Sequence, residues 1–175
     1  MNTALPIKGG VLLICITIII FLCVYFPFRD GDYFMTSIRV NAFIITPLYA
    51  VFAVYIVYRE RKKRSNFSLL QSFSLPFLTL WIGGILSLVL IFLFFNLWGW
   101  EDAKFLKEGI ICNWFEQHRA EMIQEYGLLA YEERIAAIRT SNLFNFWTFL
   151  ICSLFCTLYY FVLSVLIGFF FRKVV

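Results

Sequence analysis

The residues best suited to chemistry outside the apolar stretches of this chain are Glu116, His118 and Glu121, where the sole histidine stands between two carboxylates. Carboxylates beside an imidazole could bind a metal ion or transfer a proton. On a helix, however, positions 116 and 118 point about 200 degrees apart, because each residue turns the helix by about 100 degrees. A single histidine also offers too few ligands. We therefore expect a solvated helix face, with no metal, cofactor or catalytic residue.

Two thiols, Cys152 and Cys156, lie one helical turn apart and so share a helix face. Neither a histidine nor a carboxylate accompanies them, which favours small packing residues over a zinc site. Cys112 is the one cysteine outside the apolar stretches, so the chain has no second outer thiol for a disulfide. No catalytic triad, phosphate-binding glycine loop or buried carboxylate pair can be assembled. We expect a protein that is not an enzyme.

Four apolar stretches, at residues 9–28, 40–58, 73–99 and 143–171, contain no Asp, Glu, Lys, Arg or His. Each is close to or above the roughly 20 residues that a helix needs to cross the hydrocarbon core. Their Ile, Leu, Val and Phe runs show no period-two alternation, which excludes a β-barrel. Because ionisable groups inside membranes commonly mark transport pathways, their absence argues against transport chemistry.

The composition indicates one membrane domain over residues 1–175, since 62% of the residues are hydrophobic and 15% are charged. In lipid the backbone must satisfy its own hydrogen bonds, which favours helices. The sequence therefore predicts an all-α polytopic protein with four transmembrane helices. A cleaved signal peptide is the alternative for the first stretch, but this stretch ends at Phe26, Pro27 and Phe28 rather than at small residues. We expect it to remain in the mature protein.

The connection at residues 59–66 is strongly basic, which places it in the cytoplasm because Lys and Arg resist translocation. Its cations are Arg59, Arg61, Lys62, Lys63 and Arg64. With four spans, both termini are then cytoplasmic, and segment 101–140, of net charge −3, is extracytoplasmic. The net charge of +4 for the whole chain thus describes a membrane surface and not a nucleic-acid-binding site. The cations could also hold anionic lipid headgroups, but a topology signal is the simpler interpretation, which we adopt.

Small and weakly polar residues indicate where helices meet, because close approach drives helix association in lipid. In the fourth span they recur every four positions and share one face. The third span offers a second close-approach point. A polar groove for a lipid or solute is the alternative use of the same residues. The candidate packing or partner face comprises Gly83, Gly84, Ser87, Cys152, Cys156, Tyr160, Ser164 and Gly168.

The start of the third span mixes apolar and polar residues from Asn66 to Ser74, a pattern typical of a helix that begins along the membrane interface. We expect Ser65 or Asn66 to cap this helix, because their side-chain oxygens can accept from the first free N–H groups. Pro47 and Pro76 should bend their helices, because proline removes a backbone donor.

The outer segment shows apolar residues at helical spacing from Asp102 to Tyr126, with acidic and basic residues between them. Gly127 is a plausible helix stop, and Tyr131 to Arg139 repeats the pattern. We therefore expect an extracytoplasmic amphipathic helical hairpin between transmembrane helices 3 and 4. The candidate outer interface comprises Phe105, Ile111, Trp114, Phe115, Met122 and Ile135.

Three features occur in order along the whole chain: the run from Phe67 to Phe73, a glutamate-rich outer helix that ends at Gly127, and a fourth span that continues to Arg172 and Lys173. This layout resembles an uncharacterised family of four-span bacterial membrane proteins. The resemblance implies a location in the bacterial inner membrane and brings no activity and no catalytic residue.

Together these observations predict a non-enzymatic accessory or scaffolding subunit of a larger membrane complex. It would bind through its small-residue helix faces and its outer segment. The expected partners are the lipid bilayer and other membrane protein subunits or further copies of the chain, with no cofactor and no nucleic acid. The alternative is a small lipid-handling or transport protein, including one that assists a polyprenyl-phosphate glycosyltransferase.

Overall fold

The computed structural model describes residues 4–29, 33–63, 67–98, 107–109, 111–142 and 144–171. All regular structure within these ranges is helical, which confirms the predicted all-α class. The helices are α1 (Ala4–Phe28), α2 (Tyr33–Val40), α3 (Thr46–Lys63), α4 (Leu69–Leu97), α5 (Arg119–Tyr126), α6 (Leu128–Thr140) and α7 (Phe146–Phe171), with π-helical turns at Asn41–Ile45 and Ile111–Glu116.

Four helical segments in these ranges are long and apolar enough to cross a membrane, namely Leu5–Phe28, Tyr33–Lys63, Leu69–Leu97 and Phe146–Phe171. The shortest has 24 residues, or about 36 Å at 1.5 Å per residue, against a hydrocarbon core of about 30 Å. The prediction of four long apolar helices is confirmed. The helices also include Lys8 and Arg59, beyond the predicted bounds, because helical hydrogen bonding can continue after the apolar stretch ends.

Helix α4 lies at the centre of the bundle, with α1, α3 and α7 packed around it. α1 runs parallel to α4, since Gly10 lies against Gly83 and Phe21 lies against Phe94. α7 runs antiparallel to α4 and brings Tyr160 onto Gly84. α4 therefore has a partner on each side, and α3 also contacts α1 and α7 directly.

The two ends of the bundle differ in composition. At one end the Arg61 guanidinium lies 5.8 Å from the centre of the Phe171 ring, so the basic segment and the C-terminal end of α7 are neighbours. We call this the basic end. At the other end Tyr25 packs on Tyr33, and Asn96 Nδ2 donates to the Phe144 carbonyl over 3.1 Å. We call this the hairpin end, because residues 107–142 lie between α4 and α7 along the chain.

A capping box begins α4. The Gln71 backbone N–H donates to Ser68 Oγ over 3.3 Å, and the Ser68 backbone N–H donates to Gln71 Oε1 over 3.4 Å. The prediction that Ser65 or Asn66 caps this helix is therefore wrong, and both residues lie outside the described ranges. Ser68 is favoured because Gln71 follows it at the spacing that makes the two hydrogen bonds reciprocal.

The second span contains a π-helical turn at Asn41–Ile45, and α-helix resumes at Thr46, the residue before Pro47. The Thr46 backbone N–H bonds to the Asn41 carbonyl, and Thr46 Oγ1 donates to the same carbonyl over 2.8 Å. Pro47 supplies no backbone N–H, so the α-helical ladder cannot run unbroken through this turn. A π-helical turn thus precedes Pro47, whereas α4 remains helical on both sides of the buried Pro76. The bends expected at the two prolines stay predictions.

The hairpin segment turns at Gly127, whose φ of 85° is readily adopted by glycine. α5 ends immediately before this glycine and α6 begins immediately after it, as the glycine predicted. The expectation of one continuous helix from Asp102 to Tyr126 is wrong. Within the described part, a π-helical turn ends at Glu116 and α5 starts at Arg119, because His118 adopts a non-helical φ of −103° and ψ of 17°.

Candidate functional site

Two glycines bring α1 and α4 into close contact. A Cβ atom added to Gly10 would lie 2.6 Å from Ile82 Cγ2, and one added to Gly83 would lie 2.7 Å from Leu13 Cβ and 3.3 Å from the Gly10 carbonyl oxygen. Any side chain at these positions would separate the two backbones. Gly83 therefore serves contact between helices of the same chain, with the hydrogens of glycine as the only substituents that fit.

Gly84 provides the matching contact between α4 and α7. A Cβ atom at this position would collide with the ring and hydroxyl of Tyr160. About one turn from Tyr160 towards the basic end, Ser164 is fully buried, and about one turn further Gly168 lies beside the Phe73 backbone. Adjacent glycines on α4 thus receive two different helices, α1 at Gly83 and α7 at Gly84.

A cluster of polar side chains joins all four spans near the middle of the bundle. The Thr17 and Tyr49 hydroxyls lie 2.9 Å apart and are buried, and the Ser87 hydroxyl interacts with that of Tyr49. Ser87 Oγ also donates to the Gly83 carbonyl over 2.6 Å. The rings of Tyr49 and Tyr160 are stacked with centres 5.8 Å apart. The cluster carries no charge; the Thr17–Tyr49 hydrogen bond joins α1 to α3, and the ring stack joins α3 to α7.

The two cysteines of the small-residue face lie nearer the hairpin end and are less enclosed. Cys156 is half-buried and Cys152 is exposed to the surroundings of the bundle. The small-residue face therefore divides into a part that packs within the chain, from Tyr160 to Gly168, and a part that reaches its surface. Among the described residues, no three His, Cys, Asp or Glu side chains are placed to hold a metal ion.

The basic segment forms local pairs at the end of α3. Lys63 Nζ lies 3.0 Å from Glu60 Oε1, and Lys62 Nζ lies 4.5 Å from the centre of the Tyr58 ring. Arg59 is exposed and Arg61 is half-buried against Phe171. Arg64, the last of the predicted cations, lies outside the described residues. Glu60, the acidic residue among these cations, had no predicted role and is buried.

Most of the predicted outer-interface residues turn inward instead of outward. Phe115 and Met122 form a small core with Tyr131, and Ile135 packs against it. Ile111 is also buried. The Tyr131 hydroxyl donates to the Phe115 carbonyl over 3.4 Å. Of the predicted set, Trp114 is exposed, with 47% of its surface accessible, and Phe105 lies outside the described residues.

The hairpin also exposes apolar surface at its turn. Leu129 is 77% exposed and Leu128 is 49% exposed, directly after Gly127. Tyr126 flanks them, where Arg134 stacks over its ring at 4.3 Å and a hydrogen bond to the Glu125 carboxylate raises the pKa of its hydroxyl. We call Tyr126, Leu128 and Leu129 the hairpin tip.

A cavity of about 420 Å³ lies in the hairpin half of the bundle. Its walls come from α1, α2 with the adjoining π-helical turn, α4 and the start of α7. The residues that line it are Thr17, Ile20, Phe21, Val24, Tyr33, Phe34, Ser37, Val40, Asn41, Ile45, Leu88, Ile91, Phe95, Phe144 and Thr148.

Several residues that shape these sites were missed in the sequence. Gly9 contacts Ile56 and Thr79, and the Gly9–Gly10 pair could have been found by its likeness to Gly83–Gly84. Asn41 lines the cavity from the π-helical turn. A single amide beside an apolar run does not by itself indicate a site in the sequence. The residues that face Asn41 across the cavity come from other helices.

The comparison with protein families gives one match. Residues 8–173 match the model of a family described as a protein of unknown function, DUF4199. The chain belongs to this family. No curated protein and no solved structure matches the chain.

Membership of DUF4199 confirms the resemblance to a family without an assigned activity. The match spans the four apolar helices, the central polar cluster, the cavity and the hairpin. All of these sites therefore belong to one family domain, and the DUF4199 description itself assigns none of them a role.

Proposed function

We propose that this DUF4199 chain is a non-enzymatic accessory or scaffolding subunit of a larger membrane complex, which it contacts through the hairpin tip. The observation that carries the proposal is the exposure of Leu128 and Leu129 at the turn of a segment that has its own small core. Contiguous apolar surface outside the hydrocarbon commonly marks an interaction site.

The burial of the small-residue face supports this choice of surface. Gly83, Gly84, Ser164 and Gly168 are used between helices of the same chain, so they are not available to a separate subunit. Apolar side chains on the outer faces of the spans have the lipid as a partner. The hairpin tip lies beyond the apolar stretches, and its apolar side chains are exposed, so we propose that another protein covers it.

The proposed orientation places the hairpin on the extracytoplasmic side of a bacterial inner membrane. The basic segment at the end of α3 favours the cytoplasm for its own end of the bundle, and segment 101–140 has a net charge of −3. Contact between Arg61 and Phe171 brings the end of α7 to that same side. Both termini are then cytoplasmic.

The test compares two exposed leucines at opposite ends of the bundle. Leu129→Ser alters the hairpin tip, whereas Leu70→Ser alters a residue that is 72% exposed near the basic end. After purification from native membranes in a mild detergent, we expect the wild type and Leu70→Ser to retain a stoichiometric partner protein or second copy. Leu129→Ser should retain at least tenfold less. Equal recovery by both variants, or no partner with the wild type, would contradict the proposal.

Lipid handling is the second candidate, and the 420 Å³ cavity specifically favours it. Its size lies in the range of about 300 to 1,000 Å³ that is typical of small-molecule sites. The cations at the basic end could add a contact to anionic headgroups. Assistance to a polyprenyl-phosphate glycosyltransferase is one form that such a function could take.

A further inference from the structure

The wall chemistry of the cavity selects for hydrocarbon. Among the described residues that line it, none is Asp, Glu, Lys, Arg or His, and most are Phe, Leu, Ile or Val. Phe21 and Phe95 pack edge to face on one side, with ring centres 5.8 Å apart. A charged group placed here would lose its hydration without gaining an opposite charge. An aliphatic chain has no such hydration to lose.

One wall adds a narrow polar strip. Tyr33, Ser37 and Asn41 recur every four residues along α2 and into the π-helical turn, and all three line the cavity. Asn41 Nδ2 donates to the Ser37 carbonyl over 2.9 Å and lies 3.4 Å from Ser37 Oγ. These uncharged groups suit a hydroxyl or an ester carbonyl and have no positive charge for a phosphate.

The π-helical turn contributes to the shape of the site. It places Asn41 and Ile45 in the cavity wall, at the point where α2 gives way to α3. On the side of this turn nearer the basic end, Tyr49 of α3 stacks on Tyr160 of α7. On the side nearer the hairpin end, the cavity lies between α2 and the start of α7, where Phe144 and Thr148 line it. π-Helical turns within α-helices are frequently found at functional sites.

We propose that this cavity holds one hydrocarbon chain of a membrane amphiphile, with an uncharged oxygen of the same molecule beside Ser37 and Asn41. The bilayer surrounds the spans and supplies such chains at high local concentration. Charged parts of the amphiphile remain in the headgroup layer. The shared chemistry is a long aliphatic chain, which either an acyl lipid or an isoprenoid lipid could provide.

This inference rests on the second candidate function and names the ligand class for it. The test fills the cavity with Leu88→Trp and uses Leu90→Trp as the matched control. Leu88 lines the cavity, whereas Leu90 lies on the same helix and faces outward with 45% exposure. Native mass spectrometry after detergent exchange counts the retained lipid. We expect one retained lipid in the wild type and in Leu90→Trp, with at least a tenfold lower occupancy in Leu88→Trp.

A second pair of variants tests the same cavity in case Leu88→Trp does not fold. Thr148→Trp blocks the cavity from an exposed position on α7, and Ile151→Trp is its outward-facing control. Retained lipid in both cavity variants, or no retained lipid in the wild type, overturns the inference. If lipid is instead lost when Arg61, Lys62 and Lys63 become glutamine, while Leu88→Trp keeps it, lipid handling stands and the cavity is not its site.

Two added lipids identify the source of the chain. Dioleoyl phosphatidylglycerol or undecaprenol is added to delipidated protein at equal concentration. The lipid bound to the wild type and to each variant is then counted by native mass spectrometry. Binding of either lipid that is lost in Leu88→Trp and kept in Leu90→Trp supports the site and assigns the chain to an acyl or an isoprenoid lipid. Failure of both lipids to distinguish the two variants contradicts it.

Discussion

The basic half and the hairpin half of the bundle pack their helices with residues of different size. In the basic half, glycines let backbones approach so closely that Leu13 and Tyr160 lie directly on α4. In the hairpin half, aromatic residues fill the space between helices, as where Phe95 stacks on Phe144 with ring centres 4.0 Å apart. The basic half is closed around buried hydroxyls, and we call it the closed half, whereas the hairpin half contains the cavity.

This difference shows how residue size sets the spacing between helices along one bundle. Small residues remove the separation between helices and leave no room for a ligand. Large rings hold helices apart at fixed points and leave volume between them. The same four spans therefore pack closely at the basic end and leave a cavity at the hairpin end.

The largest expected effect comes from separating the helices in the closed half. Gly84→Leu forces α4 away from Tyr160, which cannot yield because its other face is stacked on Tyr49. We expect the free energy of unfolding to fall by about 3 kcal/mol, measured by detergent-induced unfolding in mixed micelles. Leu86→Phe enlarges an exposed residue of the same helix and should have almost no effect. Equal stability of the two variants would show that the glycine contact is not tight.

A smaller effect, a difference of about 2 kcal/mol, is expected between the same truncation made in each half. Leu13 is fully buried in the closed half, whereas Leu88 is partly buried and lines the cavity. Leu13→Ala should cost about 3 kcal/mol, because the space it leaves cannot be refilled. Leu88→Ala should cost only about 1 kcal/mol, because a lipid chain can occupy the added volume. Equal losses would remove the distinction between the halves.

The spans were predictable because apolar length alone decides whether a helix can cross a membrane. The hairpin turn was predictable because Gly127 can adopt a positive φ. The cap was not predicted correctly, since Ser65, Asn66 and Ser68 are all suitable cap residues by type. The reciprocal hydrogen bonds with Gln71 distinguish Ser68, and this pairing could have been read from the spacing.

The cavity could not be predicted, because it depends on how helices are rotated against one another. Thr17, Ser37 and Thr148 are isolated polar residues on different helices, and each alone is unremarkable in a membrane span. The sequence indicated the small-residue face but not its partner helices. Gly83 and Gly84 are adjacent in the chain and yet contact different helices.

The most direct test of the account is to map which interior residues a hydrocarbon chain reaches. The protein is reconstituted with a lipid that carries a photoreactive diazirine in its chain, and labelled residues are identified by mass spectrometry. Outward-facing Leu90 should be labelled as a positive control. If the cavity holds a hydrocarbon chain, we predict labelling of Leu88 and Ile91 in the hairpin half and none of Leu13 or Leu80 in the closed half. Labelling of Leu90 alone, or equal labelling of the interior residues in the closed half and the hairpin half, would contradict the proposed lipid site.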